Sequence, residues 1–76
     1  MTKANMIKEV RDVMTGVSGH TNILVWKKGR SWKTETNISK FSFEDVDNVN
    51  GFQLNHCCNE MTLKETENYL KDNYLI

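Results

Sequence analysis

The sequence predicts an α+β fold: a two-layer sandwich in which an N-terminal and a C-terminal helix cover one face of an antiparallel sheet of three to four strands. The predicted element order is α-β-β-β-α. Two segments, one near each end, repeat apolar residues at helical spacing, and the stretch between them alternates apolar with polar residues. A chain of 76 residues holds one hydrophobic core, so we predict a single domain over 1–76.

The first helix is predicted over residues 3–15. Its apolar stripe follows the spacing i, i+4, i+7, i+11 and consists of Met6, Val10, Val13 and Val17. Thr2 is the predicted N-cap, because its hydroxyl can accept a hydrogen bond from a free backbone amide of the first turn. Gly16 and Gly19 are the predicted stop, since glycine accepts the left-handed conformation at a helix C-terminus.

The second helix is predicted over residues 62–74. Thr62-Leu63-Lys64-Glu65 matches a capping box, in which a threonine and a glutamate bond reciprocally to backbone amides. The predicted inward stripe, with Tyr69 beside it, is Leu63, Thr66, Leu70 and Tyr74.

Two strands are predicted over 21–27 and 31–38, joined by a turn at 28–30. The apolar run over 23–26 indicates a first strand covered on both faces for part of its length. The second strand alternates, which places Trp32, Thr34, Thr36 and Ile38 on one face. A three-residue loop at 28–30 would set Trp26 opposite Trp32 on the same face.

Residues 39–59 give mixed signals. Phe41 and Phe43 alternate with polar residues, as at a strand end, and Asn50-Gly51 is a strong hairpin signal. Phe52, Leu54 and His56 would share one face of a third or fourth strand. Residues 44–50 fit a strand, a turn or a short helix equally well.

Several functional classes are excluded by composition. No stretch approaches the ~18–20 apolar residues of a membrane helix, and the N-terminus has no apolar run of the kind a signal peptide needs. We therefore expect a cytoplasmic protein without a membrane partner. Nucleophile elbows, dinucleotide fingerprints and phosphate loops are also missing, so we predict a protein that is not an enzyme and uses no cofactor.

His56-Cys57-Cys58 is the only reactive cluster in the sequence. A structural zinc site needs four ligands, usually as two close pairs, and the sequence offers no second pair. We predict no metal site, and we interpret one cysteine as a small buried hydrophobe.

The charge distribution is the most informative feature. Ten basic and ten acidic residues cancel, but residues 26–40 carry a net charge of +4 and residues 41–76 carry −5. The cations of this basic hairpin are Lys27, Lys28, Arg30, Lys33 and Lys40. The alternative, acidic partner-binding surface consists of Glu44, Asp45, Asp47, Glu65 and Glu67.

These features predict a small protein-binding module that contacts another protein through the basic hairpin. A very small, proline-free chain with two helices and a basic hairpin resembles many proteins carried by phages and mobile elements. That resemblance implies an inhibitor or adaptor acting on a host complex of defence or nucleic-acid processing, and it assigns no residue.

The alternative function is nucleic-acid binding, because lysines interleaved with Trp26 and Trp32 can hold phosphates and stack bases. A third hypothesis is a homo-oligomer, since the two oppositely charged halves could pair between copies.

Overall fold

The computed structural model describes residues 1–17, 19, 22–36, 51–55, 60–74 and 76. The elements along these residues are α1 (Lys3–Thr15), β1 (Asn22–Lys28), β2 (Ser31–Thr36), β3 (Gly51–Asn55) and α2 (Leu63–Tyr74). The strands form an antiparallel sheet in the order β2-β1-β3. The predicted α+β class and the α-β-β-β-α order are confirmed. The predictions for Ile38, Phe41, Phe43, 44–50 and His56 fall outside the described residues.

Helix α1 begins and ends where its capping residues predict. The Thr2 hydroxyl accepts a hydrogen bond from the Asn5 amide at 3.2 Å, and Gly16 adopts a left-handed conformation with φ 77°. The Gly16 amide donates to the Val13 carbonyl at 3.2 Å. The prediction that Val17 extends the buried stripe is wrong. The chain leaves the helix at Gly16, and Val17 is 74% exposed.

Helix α2 is fixed at its start by the predicted capping box. The Thr62 amide donates to Glu65 Oε1 at 3.0 Å, and the Glu65 amide donates to Thr62 Oγ1 at 3.1 Å. Thr66 and Leu70 are fully buried, as predicted. Leu63 is 47% exposed, so its predicted inward position is wrong. It stands at the rim of a groove of about 220 Å³ between α1 and α2, where no neighbouring side chain covers it fully.

The β1–β2 hairpin turns on two residues rather than three. Lys28 pairs with Ser31 across Gly29 and Arg30, and Gly29 has φ 63°, a conformation that tight hairpin turns require and glycine adopts without strain. Trp32 is therefore opposite Lys27, and Trp26 is opposite Lys33. The predicted Trp26–Trp32 pair is wrong, because a shift of one residue in register moves a side chain to the other face of the sheet.

Both helices cover the same face of the sheet. Ile23 and Val25 of β1, Trp32 of β2 and Leu54 of β3 point to that face. They form one core with the helix residues Met6, Ile7, Val10, Val13, Met14 and Leu70. Leu24 points to the opposite face and is only 7% exposed, which confirms that part of β1 is covered on both faces.

Residues on opposite faces of the hairpin should respond differently to truncation. Trp32 is 9% exposed within the core, whereas Trp26 is half-buried on the other face. We expect Trp32→Ala to lower the free energy of unfolding by about 3–5 kcal/mol, and Trp26→Ala by about 1–2 kcal/mol. Urea denaturation followed by circular dichroism measures both. Equal losses would contradict the observed register.

Gly51 should resist substitution, because β1 and β3 approach each other closely at this residue. A Cβ atom built on Gly51 would lie 2.6 Å from the Val25 carbonyl oxygen and 2.8 Å from Trp26 Cβ. Gly51→Ala should therefore cost about 1–3 kcal/mol of unfolding free energy through overpacking. Gly29→Asn is the matched control. A Cβ atom at residue 29 meets no other atom within 4 Å, and asparagine tolerates positive φ. This substitution should therefore lower the free energy of unfolding by less than about 1 kcal/mol. A neutral Gly51→Ala would show that β3 is free to shift away from β1.

Candidate functional site

Four of the five predicted hairpin cations lie on the β1–β2 hairpin or its turn, and all four are exposed: Lys27, Lys28, Arg30 and Lys33. Lys40 lies outside the described residues. Within the described ranges, no carboxylate comes within ion-pair distance of these four cations. Elsewhere, Arg11 pairs with Asp12 at 2.7 Å and Lys71 pairs with Glu67 at 3.5 Å. The four hairpin cations therefore form no ion pair in the part of the molecule that the structure describes.

The sheet divides the hairpin cations between its two faces. Lys27 is on the helix side, where its Nζ lies 5.6 Å from the ring centroid of Trp32 in a cation–π contact. Lys28 and Lys33 are on the opposite side together with Trp26, and Arg30 stands at the turn. We call Trp26, Lys28, Arg30 and Lys33 the Trp26 surface. Lys27 belongs instead to the margin of the core.

Trp26 has different neighbours on its two flanking strands. Lys33 is opposite Trp26 on β2, and Gly51 is opposite it on β3. Since Gly51 has no side chain, β3 places no side chain directly beside the Trp26 ring. This role of Gly51 differs from the hairpin turn that Asn50-Gly51 predicts. A glycine at the start of an alternating strand is also a signal of close backbone approach.

The acidic alternative surface is only partly described. Glu44, Asp45 and Asp47 fall outside the described residues. Glu65 is held by the α2 capping box, and Glu67 pairs with Lys71 one turn further along the same helix. The two described members of this set thus have polar partners in α2 or at its N-cap, whereas the hairpin cations form no ion pair among the described residues.

Phe52, Tyr69 and Tyr74 pack their rings against one another. The Phe52 and Tyr74 rings stack with centroids 4.5 Å apart, and Tyr69 meets Tyr74 at 6.1 Å. Burial, followed by the hydrogen bond with Tyr69, raises the pKa of the Tyr74 hydroxyl above its ordinary value of 10.0. The Tyr74 hydroxyl, at the contact between the end of α2 and β3, therefore remains neutral to higher pH than an ordinary tyrosine hydroxyl.

Metal-binding clusters and membrane-spanning helices are both absent from the described residues. No group of three or more His, Cys, Asp or Glu side chains is close enough there to hold a metal ion. Neither described helix has the length and apolar content needed to cross a bilayer. His56, Cys57 and Cys58 lie outside the described residues, and so does the prediction that one cysteine is a small buried hydrophobe.

Comparison with known proteins finds no matching family model, no matching curated protein and no matching solved structure.

The structural role of Glu65 should appear as a pH dependence of stability. The Thr62 amide, and then the Thr62 hydroxyl, lower the pKa of the Glu65 carboxyl below its ordinary value of 4.5. A carboxyl whose pKa is lower in the folded state adds stability above its unfolded pKa, and this is lost as the pH falls through the folded pKa. Glu65→Gln should therefore be less stable than the unmodified chain at pH 7 and equally stable well below pH 4.5.

Thermal melts between pH 2 and 7 measure this difference. Thr62→Ala is the control, since it removes the N-cap hydroxyl and should cost about 1 kcal/mol. A constant gap between Glu65→Gln and the unmodified chain at all pH values would show that the carboxylate charge is not used in the cap.

Proposed function

We propose that this protein is a small, non-catalytic protein-binding module that uses the Trp26 surface to dock on an acidic surface of another protein. The main support is that Lys28, Arg30 and Lys33 are exposed and form no ion pair among the described residues. Lys28 and Lys33 lie on the same face as the half-buried Trp26, and Arg30 lies at the adjoining turn. Tryptophan and arginine are the residues most enriched at the energetic centres of protein interfaces.

The hairpin suits such a role because its position does not depend on the partner. β1 is the central strand of the sheet, and Trp32 on the neighbouring strand is locked into the helix-covered core. A tight turn joins the two strands, so the backbone that carries Lys28 and Lys33 is already ordered before binding. Pre-ordering reduces the entropy cost of association.

Each member of the Trp26 surface would contribute differently. Lys28, Arg30 and Lys33 would steer an acidic partner and raise the association rate, an effect that salt screens. Trp26 would supply the apolar contact, since Gly51 leaves one flank of its ring without a directly opposed side chain. Arg30 at the turn can bind a carboxylate with two parallel hydrogen bonds.

An acidic protein surface suits the charge of this chain better than a long nucleic acid does. The net charge is zero, and residues 41–76 carry −5, which would repel an extended polyanion. A protein partner can present acidic groups to the hairpin alone. In this proposal the module acts as an inhibitor or adaptor by occupying a surface of a larger complex, consistent with its resemblance to small proteins of phages and mobile elements.

Neutralising the cations of the Trp26 surface should weaken binding without unfolding the protein. The triple variant Lys28→Gln/Arg30→Gln/Lys33→Gln changes only exposed charges, so the free energy of unfolding should stay within ~0.5 kcal/mol. Binding to poly-L-glutamate, used as an acidic polypeptide probe, should weaken at least about tenfold, or ~1.4 kcal/mol. Bound probe should also shield Trp26 from acrylamide, which fluorescence quenching in a Trp32→Phe background detects.

The control is Lys3→Gln/Lys8→Gln/Lys64→Gln, which removes the same charge from exposed positions on the helices and should bind the probe normally. A parallel titration uses single-stranded and duplex oligonucleotides. If the protein binds the oligonucleotides more tightly than poly-L-glutamate, with log affinity falling linearly with log salt, its function is nucleic-acid binding and the proposed protein partner is wrong. Equal loss of affinity in the two triple variants would show that only net charge matters and that the Trp26 surface is not the binding site.

A further inference from the structure

The outer edge of β2 exposes a defined set of backbone groups. β2 is an edge strand, and only its inner side pairs with β1. The Trp32 amide donates to the Met1 carbonyl at 2.9 Å, and the Met1 nitrogen donates to the Trp32 carbonyl at 2.8 Å. The backbone groups of Trp32 therefore point outward. Because these directions alternate along a strand, those of Thr34 and Thr36 point outward too.

Within the described chain, Met1 is the one residue that hydrogen-bonds to this edge, and it reaches only Trp32 and the Ser31 hydroxyl. The amide and carbonyl of Thr34 find no partner among the described residues. Lys33 and Glu35, which flank Thr34, are both exposed on the face opposite the helices. An edge with free backbone groups can pair with a further strand.

The charges of this edge are complementary to themselves in one register. If two copies of β2 pair antiparallel with Thr34 opposite Thr34, each Lys33 is opposite the Glu35 of the other copy. Moving the centre of the pairing from Thr34 to Lys33 places two lysines opposite each other, and moving it to Glu35 places two glutamates opposite each other. Opposite charges in directly facing cross-strand positions stabilise a pair, and like charges destabilise it.

We propose that the occupant of this edge is a second copy of this chain, joined through β2 in an antiparallel register centred on Thr34. The two sheets become one continuous sheet across a two-fold axis, as expected of an isologous dimer. Met1 competes for the outward groups of Trp32, which the second copy would otherwise engage through Thr36. The association is therefore weak and depends on protein concentration. This inference is independent of the proposed function, since it needs no other partner.

Charge reversal tests the register directly. Sedimentation equilibrium from about 10 µM to about 1 mM covers the range expected of an interface smaller than ~1,200 Å². The unmodified chain should dimerise, and Lys33→Glu and Glu35→Lys should each raise the dissociation constant at least about tenfold. The double variant Lys33→Glu/Glu35→Lys should restore the unmodified value, because it exchanges the two charges.

Lys64→Glu and Glu9→Lys are the matched controls, since they make the same changes in net charge at exposed positions on α2 and α1. Both should dimerise normally. A monomer throughout the concentration range would overturn the proposal. So would stronger association of the single reversals, which would show that Lys33 and Glu35 act only to keep the edge unpaired.

Amide hydrogen exchange on the unmodified chain gives a second readout that does not depend on any variant. Exchange at the Thr34 amide should slow as protein concentration rises, because that amide donates across the interface. The Lys33 and Glu35 amides point toward β1 and should exchange at a constant rate. A dimer that leaves exchange at Thr34 unchanged would place the interface elsewhere and refute the proposed pairing.

Discussion

The two-residue turn at Gly29-Arg30 is the constraint on which the other features of this protein depend. Gly29 supplies the positive φ that allows Lys28 to pair with Ser31. From that pair onward, every residue of β2 has an assigned face and a partner on β1. One further residue in the turn would reverse the faces of β2, taking Trp32 out of the core and placing Lys33 in it. The register thus decides which tryptophan stabilises the fold and which remains available for contact.

As a result, the residues that stabilise the fold and most of the residues proposed to bind a partner lie on different faces of one small sheet. The helix-covered face holds Ile23, Val25 and Trp32, together with the stacked Phe52 and Tyr74 rings. The opposite face and the turn carry Lys28, Arg30 and Lys33, which form no ion pair among the described residues. Substitutions on this second side can change binding or self-association without removing core contacts. Lys33 lies where both proposed surfaces meet, so a partner and a second copy would compete for it.

The sequence predicted the parts of the fold that depend on local signals. Capping residues located both helices, and alternation located the strands, because these patterns act within a few residues of one another. The errors at Val17 and Leu63 came from extending a helical stripe beyond the point where another element covers it. The hairpin cations were found from charge counts, but their division between two faces was not. That division depends on one residue of loop length, which composition does not determine.

The hairpin register can be observed directly by nuclear Overhauser effects between α-protons of facing residues. The backbone groups of Trp32 point to the outer edge of the sheet, so Lys27 and Trp32 form a pair without mutual hydrogen bonds. In such a pair the α-carbons lie only about 4.5 Å apart. We predict a strong cross-strand contact between the α-protons of Lys27 and Trp32, and a second between those of Val25 and Thr34. A contact between the α-protons of Trp26 and Trp32 instead would establish a three-residue loop. It would place both tryptophans on one face and contradict the Trp26 surface and the β2 edge together.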